Sequence, residues 1–336
     1  MKSILLFALA CGLALPMAAQ QPAASSGVQL IVTALGKHGQ PAAPIALSQV
    51  QVKQGHNQDP ILQWAPFPAN QRMDVAVAID EDTTNMRTGL DDVKTFIKKL
   101  PANVAVSVVY LHTGSFGVAS NFTLDHTAAA QKVRMPSGVH SSSLSPFGSV
   151  ADLLHRWPRH PGLRRELIMI SDGRESAGGN NANSPAVQGA IADAIAGGVV
   201  VYTIYASGGK DYAPGQIPNN VMVPQEPGTP VGTGAVGTPL GAFRSSNVGQ
   251  ANGSENLSLL ASDTGGQAYS QGITSSERLT QYFDDIAARM ASQYRLVIQP
   301  NTRKPHGMTR IEVKVHHSHA GITVPGWIYL APQPHP

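Results

Sequence analysis

The sequence predicts an α/β protein with a doubly wound, mostly parallel, six-stranded sheet, flanked by β segments on its N- and C-terminal sides. Continuous apolar runs at 75–79 and at 167–170, the second within a predicted strand at 166–171, are typical of strands that are buried on both faces of a parallel sheet. Helical spacing of apolar residues alternates with such strands, which is the pattern of a doubly wound sheet. Residues 28–33 and 49–53 instead alternate in polarity, which indicates half-exposed strands of an accessory β unit.

The chain has 336 residues, enough for two domains or for one domain with substantial additions. We expect a leader at 1–20, an N-terminal β segment at 21–70, an α/β domain at 71–291 and a C-terminal β segment at 292–336. A Gly- and Pro-rich stretch at 207–252 interrupts the α/β domain as an insertion loop. Because this stretch follows a strand, we expect it to emerge at the carboxyl ends of the strands.

The first twenty residues predict a secretory signal peptide. Lys2 is followed by the apolar segment 4–15, which is too short to cross a bilayer, and by a small-residue cleavage zone at 16–20. Cys11, the single cysteine, would leave with this leader, so we expect no disulfide in the mature chain. We therefore expect a periplasmic or extracellular protein without a transmembrane segment.

The composition argues against nucleic-acid binding as the function. Charged residues make up 13% of the chain, about half of the usual share. The net charge of +3 is not concentrated in a dense Lys/Arg stripe, which argues against a nucleic-acid partner.

The predicted core elements follow one another from residue 73 to residue 290. Pro101 ends the first helix, Pro146 suits the first turn of another, and Gly197 with Gly198 stops a third. In order we expect strand 73–79, helix 85–100, strand 104–111, edge strand 117–122, helices 127–134 and 146–157, strand 166–171, helix 185–196, strand 199–205, helix 256–262, strand 267–269 and helix 276–290. The C-terminal segment adds strands at 294–299, 309–316 and 327–330, which we expect to pair with the N-terminal strands.

Oxygen-bearing side chains follow two of the predicted core strands. Asp80, Asp82 and Thr84 come at alternate positions after the first strand, and Asp172 follows the strand that ends at Ser171. The first and fourth strands of a doubly wound sheet are neighbours where the strand order reverses, so Asp80 and Asp172 should face each other there. Ser145, one residue before a predicted helix, would reach in from a loop. Such a set of hard oxygens suits a divalent cation such as Mg²⁺.

At these residues the sequence resembles the von Willebrand factor A domain and its metal-ion-dependent adhesion site, over residues 73 to about 291. Asp80 matches the leading Asp of the family motif, Thr84 its last Ser, and Asp172 the late Asp in a strand-Asp-Gly context. Ser145 stands where the family has a Thr. The resemblance implies an exported binding protein whose cation is completed by an acidic side chain of a protein partner, with no catalytic role.

Asp82 departs from the family motif, which has Ser at that position. The added carboxylate would favour Ca²⁺ over Mg²⁺ or make the site degenerate, and Mn²⁺ is a further candidate. A purely structural alternative is that residues 80–84 bind no metal and only cap a helix starting near Asn85. We expect Glu166, Arg174 and Glu175 to be surface charges.

The same residues also resemble the haloacid-dehalogenase-like phosphatases. Asp80 would then be the nucleophile and Asp82 the general acid and base, with Mg²⁺ holding the phosphate. Thr113, Lys132 and a late acidic pair (Asp172 with Glu175) would complete that site. The leader, the β flanks and the Ser-Asp-Gly element favour the adhesion-type interpretation.

Overall fold

The computed structural model describes residues 27–83, 86, 89–112, 114–138, 145–158, 160, 162–175, 183–206, 253–269, 278–300, 307–316, 318 and 320–331. The predicted leader, Thr84, Thr113 and the insertion at 207–252 lie outside the described residues.

Fifteen strands and six α-helices make up the regular structure of the described residues. The strands are β1 (Val28–Leu35), β2 (Val50–Gln54), β3 (Asn57–Gln58), β4 (Ile61–Pro66), β5 (Met73–Asp80), β6 (Val104–His112), β7 (Ser115–Thr123), β8 (Arg164–Ser171), β9 (Val199–Tyr205), β10 (Ala268–Tyr269), β11 (Gln293–Ile298), β12 (Gly307–Arg310), β13 (Glu312–Val315), β14 (Gly321–Thr323) and β15 (Trp327–Leu330). The helices are α1 (Gly89–Lys99), α2 (His126–Gln131), α3 (Pro146–Arg156), α4 (Pro185–Gly197), α5 (Gly253–Asp263) and α6 (Thr280–Ala291).

The central sheet has six strands in the order β10-β9-β8-β5-β6-β7. All neighbours pair in parallel except the edge strand β7, which runs antiparallel to β6. The chain moves outward from β5 through β6 and β7, then returns to the other side of β5 with β8 and continues outward again. The predicted doubly wound, mostly parallel, six-stranded sheet is confirmed, and its order reverses between β5 and β8.

The strands β5 and β8 are central because their side chains are apolar enough to be buried on both faces. All eight residues of each strand are buried. Val75, Val77 and Ile79 pack in a cluster with α1, α2 and α6, whereas Ala76 and Ala78 face α3, α4 and α5. Among the described residues, no helix combines the length and the apolar composition that crossing a membrane requires.

The flanking strands from the N- and C-terminal sides of the core form shared sheets. One sheet has the order β14-β1-β11-β4, in which β11 lies between two N-terminal strands and pairs antiparallel with both. Trp64 of β4 stacks on Tyr294 of β11 with ring centroids 4.6 Å apart. The residues before and after the core therefore build one β unit, because the C-terminal strand β11 has N-terminal strands as both of its neighbours.

The predicted strand at 309–316 is wrong, because this segment forms two strands in different sheets. β12 pairs with β15, whereas β13 pairs with β2. Ile311 lies between them, buried, and its backbone N–H donates to the Gly326 carbonyl over 3.0 Å. The polarity alternates through the whole segment, so the pattern does not reveal that the chain changes its pairing partner at this residue.

Candidate functional site

Asp80 and Asp172 lie at the same edge of the central sheet, because they end or follow two neighbouring parallel strands. The Ser171 hydroxyl, at the end of β8, donates to Asp80 Oδ2 over 2.6 Å. Ser171 is fully buried, and its oxygen also accepts the Gly173 N–H over 2.9 Å. This serine therefore ties the carboxyl end of β5 to the turn that carries Asp172.

The Asp80 carboxyl group is almost completely removed from water, with 6% of the residue exposed. Burial, with a smaller contribution from the negative charges of Asp172 and Asp82, raises its pKa to about 7 against the opposing hydrogen bond from Ser171. Without a positive charge beside it, Asp80 consequently populates both its protonated and its ionised form near neutral pH.

A tight turn follows β5 and carries Asp82. The Asp82 N–H donates to Asp80 Oδ1 over 3.1 Å. Both the N–H and the hydroxyl of Thr83 donate to the Asp80 carbonyl, over 3.1 and 2.6 Å. The turn thus keeps half-buried Asp82 beside Asp80, while the predicted ligand Thr84 lies outside the described residues. The helix α1 begins at Gly89, four residues after its predicted start.

Ser145 is the N-cap of α3, and Pro146 occupies the first turn of that helix, as the sequence predicts. Its hydroxyl oxygen accepts the Gly148 N–H over 3.1 Å, and its hydroxyl proton is donated to Glu175 Oε2. Ser145 is buried, at 8% exposure. Its hydrogen bonds therefore join the start of α3 to the segment after β8, through Glu175 rather than through Asp80 or Asp172.

The expectation that Glu166 and Glu175 are surface charges is wrong. Both residues are fully buried, and Glu175 is the acceptor for Ser145. For Glu166 a signal is present in the sequence, since it directly precedes the apolar run of β8. For Glu175 the sequence offers none, because its partner lies 30 residues away in the chain. Arg174, with 47% of its side chain exposed, lies at the surface and places Nε 3.8 Å from Asp172 Oδ2.

The turn after Asp172 is packed against the start of α5. Gly173 has φ +66°, and a Cβ at this position would lie 2.2 Å from the Gly253 carbonyl oxygen. The Asn256 side-chain amide donates to the Gly173 carbonyl over 3.0 Å. Gly173 is therefore required both for its left-handed backbone and for the close approach of the helix. The positive end of the α5 dipole lies beside the acidic turn, which favours negative charge there.

A second contact holds the loop that follows α2 against the end of β5. The Arg134 guanidinium pairs with buried Glu81 and lies 3.9 Å from the ring centroid of Tyr110. The Glu81 carboxylate also accepts the Ser137 N–H, and the Glu81 carbonyl accepts the Gly138 N–H over 2.9 Å. Burial alone would raise the pKa of Glu81, but the bonds from Arg134 and Ser137 outweigh it and leave that pKa lowered.

The sheet order, with its reversal between β5 and β8 and one antiparallel edge strand, is the arrangement that the resemblance to the A domain implies. The core of this chain has a von Willebrand factor A-like fold. The chain matches no family model and no curated protein sequence.

Several solved structures resemble the A-like core at low sequence identity. An aerotolerance-related membrane protein from Bacteroides fragilis has 14% identity and a TM-score of 0.41, over 65% of this chain and 98% of that one. The von Willebrand factor domain of the pilus tip protein Mfa5 from Porphyromonas gingivalis has 18% identity and a TM-score of 0.26, over 32% and 40%. Proximal thread matrix protein 1 from the mussel byssus, with a zinc-occupied adhesion-site motif, has 13% identity and a TM-score of 0.38, over 68% and 47%.

Proposed function

We propose that this chain is an exported protein that recognises a protein partner through a divalent cation. The cation would be held at the carboxyl edge of the central sheet by Asp80, Asp82, Thr84, Ser145 and Asp172. The observation that carries this proposal is the placement of Asp80 and Asp172 at neighbouring strand ends, joined through Ser171 and close enough for each charge to act on the other.

The donor set fits a hard cation. Asp80, Asp82 and Asp172 bring like charges together, and a divalent ion would offset their repulsion and the burial of Asp80. In the described part of the chain, no three His, Cys, Asp or Glu side chains are placed to hold a metal ion together, and this includes Asp80, Asp82 and Asp172. Hydroxyl groups and water would therefore have to supply the remaining ligands, as Mg²⁺ commonly accepts.

An incompletely enclosed cation suits recognition. A ligand position taken by water can be yielded to a carboxylate of a partner, which is the type of ligand that such ions prefer. The described residues that hold the site in place, Ser171, Glu175 and Glu81, are all buried. Because these supports are buried and hydrogen-bonded, the partner would meet a site that is already arranged.

The phosphatase interpretation receives less support from the geometry. Each Asp80 carboxylate oxygen accepts one hydrogen bond, Oδ2 from Ser171 and Oδ1 from the Asp82 N–H, which leaves a lone pair for a cation or for attack on phosphorus alike. Lys132, the candidate for the phosphate-binding lysine, is exposed at the end of α2. Binding is therefore the function that we put first.

Calorimetric titration of the purified chain with Mg²⁺, Mn²⁺ and Ca²⁺ tests the proposal. We expect one saturable site for at least one of the three ions, and binding at least about tenfold weaker in Asp172→Ala, since a carboxylate ligand is lost. Asp91→Ala, which removes a carboxylate on the exposed side of α1, should bind as the unaltered protein does. Equal affinities in both variants, or no heat with any of the ions, would contradict a cation site.

Asp82→Ser separates the two functions. It restores the residue that the adhesion motif has at this position, so cation binding should persist. If the chain is instead a phosphatase, the same change removes the general acid and base, and turnover of para-nitrophenyl phosphate should vanish. Phosphatase activity in the unaltered chain that Asp82→Ser abolishes would favour the alternative.

A further inference from the structure

A cavity of about 480 Å³ lies at the amino ends of β5, β6 and β8, the opposite edge of the sheet from Asp80. Its two long walls are α1 and α6, which are joined by the stacked rings of Phe96 and Phe283, with centroids 4.6 Å apart. This volume lies within the range of pockets that take small organic ligands. Apolar side chains dominate its lining: Phe67, Met73, Phe96, Leu100, Phe283 and Met290.

The end of the cavity at the start of β8 carries a buried guanidinium group. Arg164, with 6% of the residue exposed, lines the cavity and donates through Nη1 to the Met290 carbonyl and to Gln293 Oε1, both over 2.9 Å. Its Nε has no hydrogen-bond partner. A buried N–H group without an acceptor is costly, so this end of the cavity favours a ligand that brings one.

A second guanidinium group, that of Arg295, adds to the positive charge of Arg164. The Arg164 guanidinium lies over the Phe67 ring at 4.8 Å from its centroid, and Arg295 lies over the same ring at 5.0 Å. Repulsion from Arg295 contributes to lowering the pKa of Arg164, although burial is the larger cause. Arg295 Nε also has no hydrogen-bond partner. Two guanidinium groups thus share the ring of Phe67, which lines the cavity together with Arg164.

The carboxylates around the cavity do not cancel this charge. Glu166 is the buried carboxyl group that acts on Arg164, and burial raises its own pKa to about 7, so near neutral pH it is only partly ionised. Asp92 lies toward the other end, where its carboxylate accepts from Leu279 N–H and the Thr280 hydroxyl. Exposed Asp284 and exposed Lys99 are at the rim. A surplus of positive charge therefore remains beside Phe67.

We propose that this cavity binds a medium-chain alkyl carboxylate, with the carboxylate at Arg164 and the alkyl chain between α1 and α6. From Phe283 to Met290 the apolar wall of α6 extends about 10 Å, at about 1.5 Å per helical residue. That length accommodates a medium alkyl chain, and the burial of its methylene groups supplies the affinity. The ligand class is independent of the cation site, which lies at the other edge of the sheet.

Isothermal titration of the purified chain with decanoate, below its micelle concentration, tests this inference. We expect one site, and at least about tenfold weaker binding of 1-decanol, which has the same chain without the charge. Arg164→Gln should reduce decanoate affinity at least about tenfold and leave the decanol affinity unchanged. Equal affinity of the unaltered chain for the acid and the alcohol would overturn the role of Arg164.

A second variant keeps the test decisive if Arg164→Gln fails to fold. Ala287 is exposed on α6 and lines the cavity, so Ala287→Phe should fill the groove and weaken decanoate binding without disturbing the core. Ala128→Phe places the same side chain at an exposed position on α2, away from the cavity, and should bind normally. Undiminished binding in Ala287→Phe, or no decanoate binding in the unaltered chain, would refute the proposal.

Discussion

Replacing Asp80 by Asn should stabilise the protein when no divalent cation is present. In the folded state, burial and the neighbouring carboxylates raise the pKa of Asp80 from 3.8 to about 7. Between pH 3.8 and about pH 7, the folded state therefore binds more protons than the unfolded state. The resulting stability is fully present below pH 3.8 and is lost as the pH rises through about 7. Ionised Asp80 therefore destabilises the folded state at alkaline pH.

The cost of ionising Asp80 to the free energy of unfolding follows from the difference between its folded and unfolded pKa values. Relative to a side chain that stays neutral, this cost is about 4 kcal/mol at pH 8 and about 1.5 kcal/mol at pH 5. An amide disturbs one of the two hydrogen bonds that Asp80 accepts, which costs about 1 kcal/mol. We therefore expect Asp80→Asn to be more stable than the unaltered chain by about 3 kcal/mol at pH 8, and nearly equal at pH 5.

Urea unfolding at pH 5 and pH 8, followed by tryptophan fluorescence, measures this difference in EDTA and again with saturating Mg²⁺. At a hundred times its Kd, the cation should stabilise the unaltered chain by about 2.7 kcal/mol and leave Asp80→Asn unchanged. Asp91→Asn, whose side chain is 86% exposed, should show neither effect. If Asp80→Asn is destabilising at pH 8 in EDTA, the picture of a buried, repelled carboxylate fails. If it keeps the full response to Mg²⁺, Asp80 is not a ligand.

Two further predictions concern the supports of the site. Gly173→Ala should destabilise by more than about 2 kcal/mol in urea unfolding, because its Cβ would collide with the Gly253 carbonyl at a positive φ. Gly189→Ala, in open space on α4, should stabilise slightly, and similar losses in both variants would argue against the collision. Glu81→Gln should cost about 1–3 kcal/mol at pH 7, since it breaks a charge-assisted bond to Arg134. Because the pKa of Glu81 is lowered, that cost should shrink as the pH falls below 4.5, and a cost that is independent of pH would contradict the ion pair.

The proposed cation site and the proposed ligand cavity use opposite edges of one sheet. β8 connects them, since Arg164 begins this strand and Ser171 ends it. Both sites also depend on carboxyl groups whose pKa is raised to about 7, Asp80 at one edge and Glu166 near the other. Comparing each titration at pH 6 and pH 8 would show how far the two edges respond to the same change of pH.

The local sequence pattern was sufficient to predict the strands and helices of the core, because each apolar run, Pro or Gly that indicates an element lies within or next to that element. The runs that became β5 and β8 are apolar at successive positions, and only a strand covered on both faces can bury all of them. Pro146 marked the start of α3 through its fixed φ, and Gly198 ended α4 in the left-handed conformation at φ 63°. The neighbouring positions of Asp80 and Asp172 then follow from the topology of a doubly wound sheet.

Contacts between distant segments could not be predicted in the same way. Glu175 is buried and accepts a hydrogen bond from Ser145, which lies 30 residues earlier in the chain. The change of pairing partner at Ile311 depends on Gly326. Arg164 and Arg295 meet at one Phe67 ring although 131 residues separate them in the chain.

The sequence by itself determined the strands and helices of the α/β core to within a few residues, the class of the sheet, and which oxygen-bearing residues stand at strand ends. Only the tertiary structure decided which charges are buried, which partner each one has, and where the apolar cavity opens. The physical reason is that periodicity records the environment of one element, whereas burial of a charge and the shape of a cavity depend on surfaces brought together from several elements.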